Sequence, residues 1–300
     1  MQKPRLSVSF SGGRTSAVMT KLCLEKYGNT HDIQVTFANT GCEHPDTLRF
    51  VDACDRNWGF QTVWLEAEVT HEKGIGVRHK IVSYETASRN GEPFEEVVRK
   101  YGIFNPVKPS CTTRLKTDVM ESYLRSLGWV RGKKINYDTA IGIRADEMDR
   151  ISCRAKEARF VYPMVDAGWT KQMVIDYMKQ FEWDLAIPEH LGNCTWCWKK
   201  TLRKHLTLAQ DHPEVFNFPA KMEEKYGHAH PHMKGKRPQD GKRVFFRQFL
   251  SAEDILKKAQ TEQFVRFDDP NFDPRKHWDE SLDRQTGCNE SCEVYPTDGT

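Results

Sequence analysis

Two sets of residues have types and spacings that can do chemistry. The first is the run SFSGGRTS, Ser9 to Ser16. Ser9, Ser11, Thr15 and Ser16 bring hydroxyl donors, Arg14 brings charge, and Gly12 and Gly13 permit positive φ and close approach of an anion to the backbone. Such a run between a strand and a helix makes a phosphate site, because the helix N-terminus aims unpaired N–H groups and a positive dipole end at it. The same glycines would also suit an ordinary strand-to-helix turn. The spacing is not that of a Walker loop, since GxxxxGK[ST] is absent. The second set is thiol: Cys111 in PSCTTRLKT, then Cys194 and Cys197 in GNCTWCWKK about 83 residues later. A CxxC pair alone reads equally as a redox motif, half a zinc site or half a cluster site.

The elements that must position these residues follow from periodicity. Leu6–Phe10 is a short strand broken by the two glycines, and Thr15–Tyr27 reads as a helix. Ile33–Ala38 is a second strand that ends in the polar turn Asn39-Thr40-Gly41; a helix over Thr47–Trp58 and a strand over Gln61–Leu65 follow. Strand and helix in alternation predict right-handed βαβ units and a parallel sheet. Residues 70–110 read as an insertion or lid. Thr117–Leu127 is helical, Ile135–Ile143 is a fourth strand, and Thr170–Phe181 is a helix with Thr170 as its N-cap. After Asp211 the periodicity weakens, which predicts an irregular extension wrapped on the first domain.

The run SFSGGRTS, followed by FANTGCEHPDTLRF (Phe37 to Phe50) and IGIRADE (Ile141 to Glu147), resembles the PP-loop superfamily. Within it the chain is most similar to the phosphoadenosine phosphosulfate (PAPS) reductase-like family, over roughly residues 5–205. The resemblance implies an α/β fold of the adenine nucleotide alpha hydrolase-like kind, a twisted parallel sheet with helices on both faces. It divides the chain into a nucleotide-binding domain over 1–205, with an iron–sulfur site, and a C-terminal extension over 206–300. It implies an adenine nucleotide at the strand ends, with Ser9, Ser11, Gly12, Gly13, Arg14, Thr15 and Ser16 as phosphate cradle. Asn39, Thr40 and Gly41 then line the nucleoside side. Arg144 becomes a phosphate or sulfate ligand that takes part in catalysis, and Asp146 and Glu147 orient it or help hold Mg²⁺. One position departs from the pattern: Thr15 stands where many ATP-splitting members have Asp, which sets Mg²⁺–pyrophosphate handling apart.

The resemblance also extends to the thiols. A Cys…CxxC interval near 80 residues is similar to that of the cluster-binding members, and implies a [4Fe–4S] cluster on Cys111, Cys194 and Cys197, with zinc as the alternative. Those members carry a Cys-Cys pair first; here Ser110 precedes Cys111. Arg114, Lys116, Lys199, Lys200 and Arg203 supply positive surroundings, and Trp196 and Trp198 shield the site. Reductases of the family attack the sulfate sulfur with a cysteine of a C-terminal element, and a thioredoxin resolves the product. That element is missing, which leaves Cys288 and Cys292 as candidate catalytic thiols or as idle residues of a tail. Cys23, Cys42 and Cys54 read as packing residues and Cys153 has no assigned role. His228, His230 and His232, and the basic residues near 233–247, read as a solvated loop that is also compatible with metal or nucleic acid.

Two activities are therefore expected to compete: sulfonucleotide reduction with a thioredoxin-like reductant, and ATP-dependent adenylation and sulfur transfer to nucleic acid or a small molecule. A nucleotide-binding regulator without catalysis is a third class. A net charge of +3 neither demands nor excludes a nucleic-acid partner. No run approaches the ~20 apolar residues of a membrane helix. Met-Gln-Lys-Pro-Arg leads directly into a strand without a signal-peptide pattern, so a cytoplasmic setting is expected. The oligomeric state is open.

Overall fold

A computed structural model describes residues 3–132, 134–228 and 242–270. In chain order the elements are β1 (Arg5–Ser9), α1 (Arg14–Tyr27), β2 (Asp32–Asn39), α2 (Pro45–Trp58), β3 (Val63–Val69), β4 (Val77–Val82), α3 (Glu92–Tyr101), α4 (Asp118–Ser126), β5 (Asp138–Ala140), α5 (Ala155–Ala158), β6 (Phe160–Val161), α6 (Pro163–Asp166), α7 (Lys171–Met178), α8 (Leu202–Asp211), α9 (Asn217–Tyr226) and α10 (Ala252–Thr261). The strands form one sheet in the order β4-β3-β2-β1-β5-β6. All neighbours are parallel except β4, which runs antiparallel to β3.

The sheet is covered on both faces, as its parallel part requires. Alternation along β1 sends Leu6 and Val8 to a core shared with Val18 and Met19 of α1, Val51 of α2 and Val174 of α7. The opposite core joins Leu65 of β3, Val97 of α3, Val119 of α4, Leu206 of α8, Met222 of α9 and Ile255 of α10. Residues beyond 205 thus pack into the same core as the sheet, through helices where an irregular extension was expected.

Two further differences from the sequence reading have plain causes. The stretch 70–110 holds an edge strand and a helix rather than an insertion or lid. β4 (VRHKIV) carries three basic side chains that mask its alternation. In α3, by contrast, Phe94, Val97, Val98 and Tyr101 follow helical spacing after Pro at the first turn. The fourth strand is shorter than Ile135–Ile143: β5 pairs β1 only from Asp138 to Ala140. Beyond it Ile141 N–H still bonds Val161 O at 3.0 Å, and Gly142 onward turns away to deliver Arg144. Thr170 caps α7 as expected, its hydroxyl accepting the Met173 N–H at 3.4 Å.

The chain winds outward from β1 through β2 and β3 to β4, then returns to β5 on the other side of β1. Such a reversal makes the C-terminal ends of β1 and β5 the place where ligands bind in open α/β sheets.

Candidate functional site

The loop after β1 is anchored by Phe10, which is fully buried and donates its N–H to Thr36 O at 2.9 Å. Gly12 takes φ +80°, and a Cβ there would lie 2.7 Å from Thr47 Cγ2 of α2. Gly13 is extended (φ −100°, ψ 161°) and is the N-cap of α1 with no side-chain cap, so only Gly12 uses the positive φ expected of both. The first turn of α1 therefore presents N–H groups that no cap satisfies. The Ser16 hydroxyl braces the loop: it accepts the Ser11 N–H at 3.2 Å, donates to Gly13 O at 2.9 Å, and sits 2.9 Å from Ser11 Oγ. The Ser9 hydroxyl points to Met120 Sδ of α4, 3.6 Å away. Arg14 is turned from the loop. Its guanidinium forms a two-point pair with Asp184, at 2.8 and 3.0 Å.

The segment after β5 brings the loop its charge. Arg144 is 6% exposed and places Nη1 3.2 Å from Thr15 Oγ1. Its other edge meets Asp146 Oδ1 at 3.1 Å and Glu147 Oε2 at 3.3 Å. Asp146 also accepts the Lys171 N–H at 3.2 Å, and Glu147 also pairs with Arg150. Burial pushes the Asp146 pKa up, but the Lys171 amide and Arg144 outweigh it and hold the carboxyl below its ordinary value. Both acids thus act on Arg144 in the orienting sense.

The segment after β2 is braced internally. Asn39 donates to Glu66 Oε1 at 2.7 Å and to Ser88 O at 2.9 Å, and accepts the Gly41 N–H at 3.2 Å. The Thr40 hydroxyl and N–H both bond the Glu43 carboxylate at 2.9 Å. Gly41 lies against Gly91, whose N–H donates to Gly41 O at 2.9 Å.

The CxxC loop docks on this second segment. Thr195 N–H bonds Cys42 O at 3.0 Å, Glu43 and Cys194 form an antiparallel bridge, and Thr40 Oγ1 lies 3.3 Å from Cys194 Sγ. Burial pushes the Cys194 pKa well above the ordinary thiol range, Glu43 adds to this, and Lys116 opposes it. Lys200, 2% exposed, donates to Cys194 O at 3.1 Å. His205 shares its Nε2 proton with Cys197 O at 3.0 Å, and burial lowers its pKa to about 3. Trp196 packs on Phe94 and Phe245 at ring distances of 5.0 and 4.9 Å, as a core residue. A cavity of about 330 Å³ opens where the two segments meet, lined in part by Glu43, His44, Thr195 and His212.

Cys111 is half-buried just before a π-helical turn over Thr113–Thr117, a feature frequent at functional sites. Lys116 of this turn acts electrostatically on Cys194. Yet among the described residues no three His, Cys, Asp or Glu side chains are grouped to hold a metal ion. Cys111, Cys194 and Cys197 do not form such a group. Cys288, Cys292, His230 and His232 lie outside the described residues.

Glu43, Glu66 and Asp184 were missed in the sequence. Glu43 sat in view within the second motif, but its partners are set by the folded turn. Asp184 is 170 residues from Arg14 and carried no signal.

Residues 5–185 match the phosphoadenosine phosphosulfate reductase domain family, and the chain belongs to that family. It is thereby a member of a group defined by nucleotide-linked sulfur chemistry. Over 295 residues it is 32% identical to the uncharacterized nin region protein ORF290 of Escherichia phage lambda, covering 96% of this chain and 94% of that protein. It is 38% identical over 73 residues to the uncharacterized protein MJ0066 of Methanocaldococcus jannaschii, covering 24% of this chain and 15% of that one. The crystal structure of phosphoadenylyl-sulfate reductase from Candida auris, as a phosphate complex, is similar at 15% identity and a TM-score of 0.32, over 59% of this chain and 72% of that chain. The CxxC pair falls beyond the matched domain. Among the described residues no helix is long and apolar enough to cross a membrane.

Proposed function

We propose that the protein binds an adenine sulfonucleotide, PAPS or its 3′-dephospho form APS, at the C-terminal ends of β1 and β5 and reduces it to sulfite and an adenosine phosphate. The observation that carries this is the buried Arg144 guanidinium held 3.2 Å from Thr15, over the uncapped start of α1. A thiol sulfur attacks the sulfate sulfur; the bond from that sulfur to the phosphate oxygen breaks, and charge develops on the departing phosphate. Arg144 and the α1 N–H groups are set to stabilise that charge before the reaction starts. A second thiol then displaces sulfite from the enzyme S-sulfonate, leaving a disulfide. The external electron source is a thioredoxin-like dithiol.

The competing reading, ATP-dependent adenylation and sulfur transfer, needs a carboxylate for Mg²⁺–pyrophosphate. The loop offers Thr15 instead, and Asp146 and Glu147 are already engaged with Arg144, Arg150 and the Lys171 amide. This supports the reductive reading over the ATP-splitting one. Anaerobic protein with PAPS or APS and a thioredoxin system is expected to release sulfite, whereas ATP with acceptors is expected to give neither AMP nor pyrophosphate. AMP and pyrophosphate without sulfite would reverse the assignment.

A further inference from the structure

The cavity of about 330 Å³ where the second motif meets the CxxC turn is at the small end of ligand pockets, which span about 300–1,000 Å³. One of its walls holds a charge without a counter-ion. Glu43 is 7% exposed, and its carboxylate accepts only the Thr40 N–H and hydroxyl, at 2.9 Å. Among the described residues no cation forms an ion pair with it. The next residue, His44, does not serve as one. Its Nδ1 accepts the Asp46 N–H at 3.2 Å, and burial, with Arg49 and His212, holds its pKa below the ordinary value, so the ring is uncharged near neutral pH. Lys200 donates to the carbonyls of Cys194 and Thr195. Buried carboxylates are ordinarily paired, whereas this one borders a space.

The other walls narrow what can fill that space. Trp196 and Phe218 line it, their ring centroids 5.6 Å apart and their planes tilted by 32°. Aromatic rings beside a carboxylate favour an organic ammonium. Leu191 and Val215 add apolar surface. Arg89 lines the cavity from its exposed side. Its guanidinium is fixed by Ala87 O and Tyr84 O, both at 2.6 Å, with Cζ 5.1 Å from the Tyr84 ring centroid. These bonds leave other N–H groups of the fork open, and among the described residues no carboxylate forms an ion pair with it. The remaining charged pair of the rim, His212 and Glu214, is matched within itself at 3.4 Å.

We propose that this cavity binds a small zwitterion with an apolar body, an α-amino acid, with its ammonium on Glu43 and its carboxylate on Arg89. The ammonium supplies the cation that Glu43 lacks and donates to lone pairs that Thr40 leaves open. The ligand carboxylate accepts the free N–H groups of Arg89 in a charge-assisted pair. The ligand side chain lies on Leu191, Val215 and Phe218. The inference goes beyond the sulfonucleotide reading and does not depend on it, because neither Arg144 nor any residue of the Ser9–Ser16 run lines this space.

The test is calorimetry on the full chain with L-leucine and with two analogues that each lack one charge, isoamylamine and isocaproate. Leucine is expected to bind at least about 10-fold more tightly than either. Glu43→Gln should weaken leucine and isoamylamine alike by about 10–100-fold and leave isocaproate unchanged. Arg89→Met should weaken leucine and isocaproate and leave isoamylamine unchanged. Because Arg89 is exposed, its variant tests the site even where Glu43→Gln fails to fold. No heat with leucine or any other standard amino acid at millimolar concentration overturns the site. So do analogues that bind as tightly as leucine, or wild-type affinity in both variants. Displacement of leucine by adenosine 3′,5′-bisphosphate would make the cavity part of the nucleotide site and overturn the proposal. Leucine binding that persists beside that nucleotide upholds it, whether or not the protein releases sulfite from PAPS.

Discussion

At the scale of single residues, the proposed function rests most on Arg144. A hydrogen bond to a charged group contributes about 1.5–3 kcal/mol. Arg144→Ala is therefore expected to weaken adenosine 3′,5′-bisphosphate binding about 10–100-fold by calorimetry. Arg144→Lys should recover only part of this, because a point charge cannot serve Thr15, Asp146 and Glu147 at once as the planar fork does; unchanged affinity in both variants would remove Arg144 from the site. Gly12 is the second such residue. Ala there must hold φ +80° with its Cβ 2.7 Å from Thr47 and 3.2 Å from Phe37 and Val51. Gly12→Ala should cost about 1–3 kcal/mol, read as a lowered midpoint in urea, together with weaker nucleotide binding. A variant as stable as the wild type would mean the loop is laxer than described.

At the scale of elements, the second motif depends on a stack that begins at β2 and ends at α9. Gly41 touches Gly91, and a Cβ on Gly91 would come within 2.2 Å of Phe218. Gly91→Ala is expected to push α9 off α3 and loosen the Asn39–Glu43 segment; amide exchange should rise at Thr40 and Gly41, which a purely local effect would leave unchanged. Glu223 makes α9 pH-sensitive. Its carboxylate, 2% exposed, accepts the N–H of Phe245 at 2.8 Å and of Ala252 at 3.0 Å. Burial raises its pKa from 4.5 to about 7, against the pull of these amides and Lys242. Between those values the folded chain holds a proton the unfolded chain has lost, so the stability contributed at Glu223 is fullest below about 4.5 and falls as pH rises to about 7. The non-titrating Glu223→Gln should gain on the wild type in melting temperature over that window, and a constant difference between the two would contradict the assignment. These elements also show what a sequence can reveal. The three motifs were legible because each is a contiguous run whose glycines and polar residues answer to a local turn at a strand end. α3 went unread within the stretch taken as an insertion or lid, although Phe94, Val97, Val98 and Tyr101 follow helical spacing. β4 was not legible, since Arg78, His79 and Lys80 belong to an edge strand whose outer side needs no apolar residue. Pairs such as Arg144–Thr15 or Arg14–Asp184 join residues 129 and 170 positions apart, and nothing in either neighbourhood says which partner the fold will bring.

At the scale of the whole molecule, the candidate nucleotide loop and the CxxC turn come from distant parts of the described chain. The nucleotide loop lies near residue 12, the thiol turn near 195, and the thiol turn in turn packs on Phe245 through Trp196. A nucleotide that binds only the folded state should stabilise it by about 2.7 kcal/mol at 100 times its Kd, and the melting temperature should rise by several degrees with PAPS. No rise at any concentration would count against a formed nucleotide site. Removal of residues 242–300 should uncover Trp196, His205 and Phe216, which pack on Phe245 and Phe246. Thiol alkylation at Cys197 would then become fast in the truncated chain and stay slow in the full one.

The pair between Arg14 and Asp184 has a further consequence in time. During synthesis α1 leaves the ribosome early, but its first residue finds its partner only after some 170 more have been added. Closing so long a loop is slow relative to local contacts, and until β5 and Arg144 are added, some 129 residues after Thr15, the phosphate turn stands on a half-built sheet. The nascent chain therefore holds its future ligand poorly for most of translation. Nucleotide should speed the last docking steps of refolding while leaving the early ones untouched.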